Sequence, residues 1–164
     1  MIYSKTDPVG IDFLIDKYQN KIHEFYESFD FDVYPRIYDI EKSNKSFPAH
    51  YVSNNEYKEI LLNDSKDGIV FFRTVGGDKI KRNLFATKIE VYFLLNVSKL
   101  KPNINHRADE EVKLEAYSLI DRITNREEIE ISKDKEAISD FNFKIEHMQP
   151  YYLLKFSFEK NYTI

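Results

Sequence analysis

The chain has 164 residues, with 28 acidic and 24 basic side chains mixed along it and a formal net charge of −4. This length allows one domain with a substantial core. The acidic excess argues against an electrostatic nucleic-acid binder, which would carry a basic stripe. Cysteine is absent, which excludes disulfides and thiolate metal ligands, and no apolar run approaches the length of a membrane span. We expect a soluble protein or a part of a soluble assembly, with residues 1–9 as a tail and residues 10–164 as one domain.

The first predicted helix covers residues 10–29. Its apolar residues recur at helical spacing, while polar residues occupy the other faces; among these, Asp12 and Asp16 are expected on the solvated side. These apolar residues are Ile11, Leu14, Ile15, Tyr18, Ile22, Phe25 and Phe29. Residues 31–40 and 47–52 are then expected to be extended. Pro35 has no backbone N–H to donate, so the strand that contains it is predicted to be an edge strand or to be irregular there.

Two long strands are predicted next. Residues 69–75 contain four consecutive apolar residues, which indicates a strand covered on both faces. Gly76 and Gly77 predict a loop that joins this strand to a second one as an antiparallel hairpin. In the second strand, within residues 85–98, every odd position from 89 to 97 is apolar, which is typical of a buried strand face.

The second predicted helix covers residues 107–124 and follows a polar elbow at His106 and Arg107. Three consecutive carboxylates lie in its first turn, where unpaired N–H groups and the helix dipole favour negative charge. Further strands are predicted at residues 128–132, 141–145 and 151–159.

The order helix–strands–helix–strands predicts an α+β fold: an antiparallel or mixed sheet with two principal helices packed on one face. The other sheet face is expected to carry Val70, Phe72, Tyr92, Leu94 and Leu153, which is too apolar for open water. Either the helices lie on opposite faces or another subunit covers this one. The aromatic surplus, 12 Tyr and 13 Phe, favours a subunit interface.

No residue pattern predicts a catalytic, metal or cofactor site, and we expect no enzymatic activity. A Gly-x-Ser-x-Gly elbow and a phosphate-binding glycine loop are absent. Asp109 and Glu110 point about 100° apart on a helix, which disfavours a metal site shared with His106. Two alternatives stay open. One is a metal-dependent nuclease, from the Glu-x-Lys fragments at residues 56–58 and 111–113, and the other is a small-ligand or nucleic-acid binding module that uses exposed aromatic residues.

Two polar segments are predicted to contact subunits or partners. The candidate residues are Lys79, Lys81, Arg82, His106 and Arg107. The first three belong to a predicted hairpin tip, residues 76–83, whose two glycines would let it reorient until assembly orders it. The last two belong to the polar elbow, where charges of this kind tune encounter and register more than affinity.

Three segments carry a likeness to a known protein family: residues 10–16, 101–111 and 151–158. Together with the size and the element order, they make the whole chain resemble the tail-terminator and head–tail joining (neck ring) proteins of tailed bacteriophages. The stretch from His106 to Glu111 is similar to small virion proteins of phages that infect Bacteroidetes-type hosts.

The resemblance implies a structural virion protein that forms a homo-oligomeric ring, commonly a hexamer in terminators and a dodecamer in neck rings. Such a ring is assembled in the host cytoplasm and contacts portal, neck or tail-tube proteins. DNA passes through its channel without sequence-specific binding, and an acidic protein suits a channel that does not grip DNA. The roles of tail terminator, neck adaptor and tail ring are not distinguished by these residues.

Overall fold

A computed structural model of the protein describes residues 1–81, 84–104, 107–143 and 149–163, with only the backbone described at Lys81. The helices are α1 (Ile11–Phe25), α2 (Val97–Leu100), α3 (Asp109–Thr124) and α4 (Asp134–Ala137). The strands are β1 (Phe31–Arg36), β2 (Tyr38–Lys42), β3 (Lys45–Ser53), β4 (Glu56–Glu59), β5 (Gly68–Lys81), β6 (Leu84–Asn96), β7 (Glu130–Lys133) and β8 (Tyr151–Tyr162). The predicted α+β class is confirmed. Across the described ranges, none of the helices has the length and apolar character needed to cross a membrane.

The strands form two sheets. The larger has five strands in the order β1-β5-β6-β8-β7, and it is mixed because β1 runs parallel to β5 while the other pairs are antiparallel. The smaller is antiparallel, in the order β2-β3-β4. β1 is the outer named strand of the larger sheet and its pairing is irregular between Val33 and Arg36, as predicted from Pro35. Residues 1–9 are not simply a tail, because Ile2 forms a parallel bridge to Val33.

The two long helices lie close to their predicted positions. α3 ends at Thr124, where Asn125 adopts the left-handed conformation with a φ of 61°. α1 ends at Phe25 rather than at residue 29, because the chain turns at Tyr26 and the Phe29 amide donates to the Tyr26 carbonyl at 2.9 Å. The Tyr26 ring then stacks on Phe31 at 4.1 Å, which fixes the start of β1 against the end of the helix.

One core cluster contains side chains from both long helices and from the central strands. Among its members are Ile15, Tyr18, Ile22, Val70, Phe72, Ile89, Val91, Phe93, Leu95, Val112, Ala116, Leu119, Ile120, Leu154, Phe156 and Phe158. The alternation predicted for the long strand is confirmed from Ile89 to Leu95, since the odd-numbered residues of this range are buried in the cluster.

The second face of the large sheet is covered by the chain itself, which corrects the expectation that another subunit covers it. A second cluster joins this face to the segment after β7 and to two residues that flank the small sheet, one directly before β2 and one directly after β4. Its buried members are Ile37, Ile60, Ile69, Phe71, Tyr92, Leu94, Ala137, Ile138, Phe141 and Leu153. Val70 and Phe72 were assigned to the wrong face. They pair with Phe93 and Val91, and directly paired residues of antiparallel strands share a face.

The hairpin of β5 and β6 is confirmed, but its glycines do not form the turn. The two strands stay paired past both glycines, as far as Lys81 and Leu84. Between the pairs Val75–Lys88 and Lys79–Ala86, residues 76–78 of β5 face the single residue 87 of β6. This is a bulge, and Gly76 adopts a φ of 78° there, which glycine does without strain.

The strand predicted at residues 141–145 is wrong in its described part. Phe141 and Phe143 contribute to the second cluster, but residues 141–143 are not in a strand. The Asn142 amide donates to the Ser46 carbonyl at 2.8 Å, so the segment is attached to β3 by a single backbone hydrogen bond. Residues 144 and 145 lie outside the described residues.

Candidate functional site

Two residues of the predicted basic cluster, Lys79 and Lys81, lie on a strand-paired extension of the large sheet. We call this extension the arm and define it as residues 76–81, 84–88 and 159–162. β5 is exposed from Gly76 to Ile80 although it still pairs with β6. Lys79 pairs with Glu159 across the arm, with Nζ and Oε2 at 3.3 Å. Lys81 lies at the end of the β5 pairing, and Arg82 lies outside the described residues.

One face of the arm carries an apolar row. Ile80 pairs with Phe85, and Phe85 pairs with Tyr162, so the three side chains project to the same face. The Phe85 and Tyr162 rings stack at 5.5 Å, whereas Ile80 is 71% exposed at the outer end of the row. Leu84 is also exposed.

Both edges of the arm are open within the described part of the chain. β1 pairs with β5 only as far as Phe72, and β7 pairs with β8 only as far as Ser157. The strand edges beyond these residues present backbone N–H and C=O groups without a neighbouring strand. Such an edge is a template for pairing with another chain.

The predicted elbow contact is only partly described. Arg107 lies directly before α3 and pairs with Asp109, with Nη2 and Oδ2 at 2.6 Å. The hydrogen bond from Arg107 lowers the pKa of the Asp109 carboxyl, which therefore stays ionised at the helix start. His106 lies outside the described residues. In the described ranges, Arg107 forms no hydrogen bond or ion pair with the arm; its partner is Asp109.

A cleft that the sequence did not predict lies between the N-terminal segment, α1 and the small sheet. Its volume is about 600 Å³, and it is lined by residues from six parts of the chain, including Tyr3, Lys5, Asp12, Arg36, Tyr38, His50, Tyr51 and Tyr57. A volume of this size suits a small ligand.

The polar side of the cleft is an ion-pair triad. Nε and Nη2 of Arg36 donate to the two carboxylate oxygens of Asp12 at 2.7 and 3.0 Å, and Lys5 Nζ lies 2.5 Å from Oδ2 of Asp12. Burial alone would raise the pKa of Asp12, but the hydrogen bonds from Arg36 and Lys5 outweigh it and lower the pKa. Asp12 was expected on the solvated side of the first helix; it is buried instead.

The opposite side of the cleft is aromatic. Tyr51 and Tyr57 are partners across β3 and β4, with ring centroids 5.6 Å apart, and the Tyr38 and Tyr57 rings are 4.7 Å apart. His50 is buried beside Tyr3, with a centroid distance of 5.2 Å, and its Nδ1 has no hydrogen-bond partner among the described residues. Burial lowers the pKa of His50, which keeps its ring neutral at pH 7.

A second polar group that the sequence did not predict lies over the second face of the large sheet. The Tyr92 hydroxyl donates to the buried Glu90 at 2.7 Å, and Arg73 and Lys155 lie 3.4 and 3.6 Å from the same carboxylate. Both cations also pair with Asp140, at 3.2 and 3.6 Å. The network thus attaches the segment after α4 to β5, β6 and β8 and stabilises its position on the sheet.

The fragments that suggested a nuclease lie apart. Residues 56–58 are on the exposed strand β4, and residues 111–113 are in α3. In residues 1–81, 84–104, 107–143 and 149–163, no group of three or more His, Asp or Glu residues is arranged to hold a metal ion.

Comparison of the chain with family models, curated proteins and solved structures finds no match in any of the three. The arm and the cleft are the two candidate functional sites of the protein.

Proposed function

We propose that the protein is a non-catalytic structural subunit that assembles with copies of itself through the arm. The observation that carries this proposal is the open strand edge of β5 from residue 76 onward, whose residues 76–80 are exposed and include Ile80. A long exposed edge with an apolar residue normally invites pairing, and proteins that stay monomeric protect such edges. Two features of the kind that protect such edges are present, the bulge at residues 76–78 and Lys79. Their protection is limited, because residues 79–81 pair in register with β6 beyond the bulge and Glu159 pairs with Lys79 within the same chain.

The two edges of the arm favour a head-to-tail arrangement. β5 supplies the open edge on one side of the arm and β8 supplies it on the other. If the β5 edge of one copy meets the β8 edge of the next, each copy uses two different surfaces, and such contacts close into rings when the rotation permits. A neighbouring strand beside β5 would also extend the apolar row of Ile80, Phe85 and Tyr162.

The resemblance noted in the sequence extends the proposal to a particular place. We infer a ring of the virion, a hexamer or a dodecamer, at the portal, neck or tail junction of a tailed bacteriophage. In this proposal the two long helices cover one sheet face, which their shared core cluster supports. The sheet edges and loops then remain for subunits and for portal or tail-tube partners, and the net charge of −4 suits passage of DNA.

The self-assembly proposal is tested by the mass of the protein in solution, measured by light scattering over a range of concentrations, and by electron microscopy of the same samples. We expect the wild-type protein to form a ring-sized multiple of 19.6 kDa. Ile80→Lys places a positive charge at the outer end of the apolar row. This variant is expected to yield the 19.6 kDa monomer.

Leu114→Lys is the matched control, because Leu114 is 59% exposed on α3, outside the arm. It should leave the mass unchanged. A wild-type protein that remains at 19.6 kDa at every concentration overturns the ring. The role of the arm in the virion has its own test: replacing Lys79, Lys81 and Arg82 with glutamate should lower the yield of joined heads and tails in a producing host. An unchanged yield would show that the arm is not an assembly contact.

A further inference from the structure

We propose that the cleft between the N-terminal segment, α1 and the small sheet binds a nucleotide-like ligand: a flat ring that carries an anionic group. This proposal is independent of the assembly through the arm. It is supported by the charge of the triad, by the aromatic side of the cleft and by the buried His50.

The triad gives the cleft a cationic excess. Lys5 and Arg36 supply two positive charges against the single carboxylate of Asp12, in a protein whose net charge is −4. Asp12 engages Nε and Nη2 of Arg36, so that Nη1 has no partner among the described residues. Asp12 therefore holds the guanidinium in a fixed orientation, and Lys5, whose side chain is half exposed, is available to an anion.

The aromatic side of the cleft provides faces for a flat ring. Tyr38, Tyr51 and Tyr57 are about half exposed, although they contact one another. Exposed tyrosines on a sheet form a stacking surface for nucleobases, which bind there with little dependence on the base. The combination of stacking faces with fixed cations distinguishes a nucleotide from an apolar ligand or an inorganic anion.

His50 adds one polar atom, Nδ1, that has no hydrogen-bond partner in the described part of the chain. It is a buried residue that lines the cleft, and it contacts the stacked pair of Tyr3 and Tyr34, with centroid distances of 5.2 and 4.7 Å. A buried polar atom without a partner costs stability unless another group satisfies it. A polar group of the ligand's ring or sugar is suited to this position.

The test is calorimetric titration of the full chain with AMP, GMP, CMP and UMP, and separately with adenosine, inorganic phosphate and an eight-residue oligothymidylate. We expect the four nucleotides to bind with a Kd below about 1 mM. Adenosine and inorganic phosphate should each bind at least about tenfold more weakly, because each lacks one of the two recognised parts. Binding should weaken as salt is added.

Two variants link the binding to the cleft. Tyr57→Ala should weaken nucleotide binding by about fivefold or more, the lower end of aromatic–base stacking. Tyr117→Ala is its control, because Tyr117 is 37% exposed on α3 while Tyr57 is 40% exposed. Lys5→Gln should weaken binding and reduce its salt dependence, whereas Lys17→Gln on the surface of α1 should not. Circular dichroism of each variant establishes that it is folded.

Each result of these titrations either supports the site or overturns it. Nucleotide binding that weakens in Tyr57→Ala and Lys5→Gln but not in the controls supports the site. Absence of nucleotide binding, or binding that neither variant changes, overturns it. Binding of the oligothymidylate alone also overturns it, because the recognised partner would then be a nucleic-acid strand rather than a small ligand.

Discussion

Ion pairs between individual side chains connect the N-terminal segment, α1 and β1. Asp12 of α1 accepts hydrogen bonds from Arg36 of β1 and from Lys5. The side chain of Asp16, one turn further along the same helix, hydrogen-bonds only with Asn20 among the described residues. The two aspartates look alike in the sequence. Their roles differ because Arg36 comes from a strand that the sequence does not place beside the helix.

Asp12→Asn is expected to lower the free energy of unfolding by about 1–3 kcal/mol at pH 7, because it removes the carboxylate that pairs two cations. Because the pKa of Asp12 is lowered below 3.8 in the folded protein, its contribution is present above that pH and is lost as the pH falls through the folded-state pKa. The difference between wild type and variant should therefore shrink below pH 3.8. Urea denaturation at several pH values measures it. Asp16→Asn is the control, and an equal loss in both variants contradicts the role of the triad.

At the scale of elements, close packing between β1 and β5 determines where β5 begins. Phe31 and Gly68 are partners in the parallel pairing, and Phe31 is fully buried. A Cβ built on Gly68 would lie 2.4 Å from the Phe31 ring. Only glycine fits at this position without displacing the ring, because a protein interior is too densely packed to absorb such an overlap.

Gly68→Ala is expected to destabilise the protein by about 1–3 kcal/mol, the usual effect of overpacking a core. Gly77→Ala is the matched control, since a Cβ there meets nothing within 4 Å. It should change the stability by less than about 0.5 kcal/mol. Urea denaturation followed by circular dichroism compares the two. A loss in Gly77→Ala as large as that in Gly68→Ala would show that the glycine backbone, rather than the Phe31 ring, sets the stability.

The sequence predicted those structural features that depend on residues close together in the chain. The alternation in β6 and the helical spacing in α3 were sufficient to locate both elements, and Pro35 was sufficient to predict an irregular edge strand. The face of Val70 and Phe72 depended on their register with β6, which periodicity within one strand does not supply. The bulge at Gly76 was mistaken for a turn because both need glycine.

The candidate sites were harder to predict than the fold. Lys79 was identified because it belongs to a local run of charges. The cleft combines Lys5, Asp12, Arg36, His50 and Tyr57, which are distant in sequence and meet only through the packing of α1 and the small sheet. No local spacing marks such a group.

At the scale of the whole molecule, the two core clusters share their strands. β5, β6 and β8 contribute one face to the cluster with α1 and α3. They contribute the other face to the cluster with α4, the segment that follows it, and the residues Ile37 and Ile60 beside the small sheet. Val91 and Tyr92, adjacent in β6, belong to different clusters, and both are fully buried. Loss of either layer would expose a largely apolar sheet face to water, which is strongly unfavourable. The two clusters are therefore expected to be lost together.

We accordingly expect a single cooperative unfolding transition, with coincident curves from far-ultraviolet circular dichroism and tyrosine fluorescence. Ile120→Ala removes side-chain volume from the first cluster, and Leu153→Ala removes it from the second. Each should move the whole transition to lower urea concentration, with a loss of about 2–5 kcal/mol. Two separated transitions, with each variant shifting only one of them, would contradict this prediction and would mean that the second cluster unfolds independently of the first.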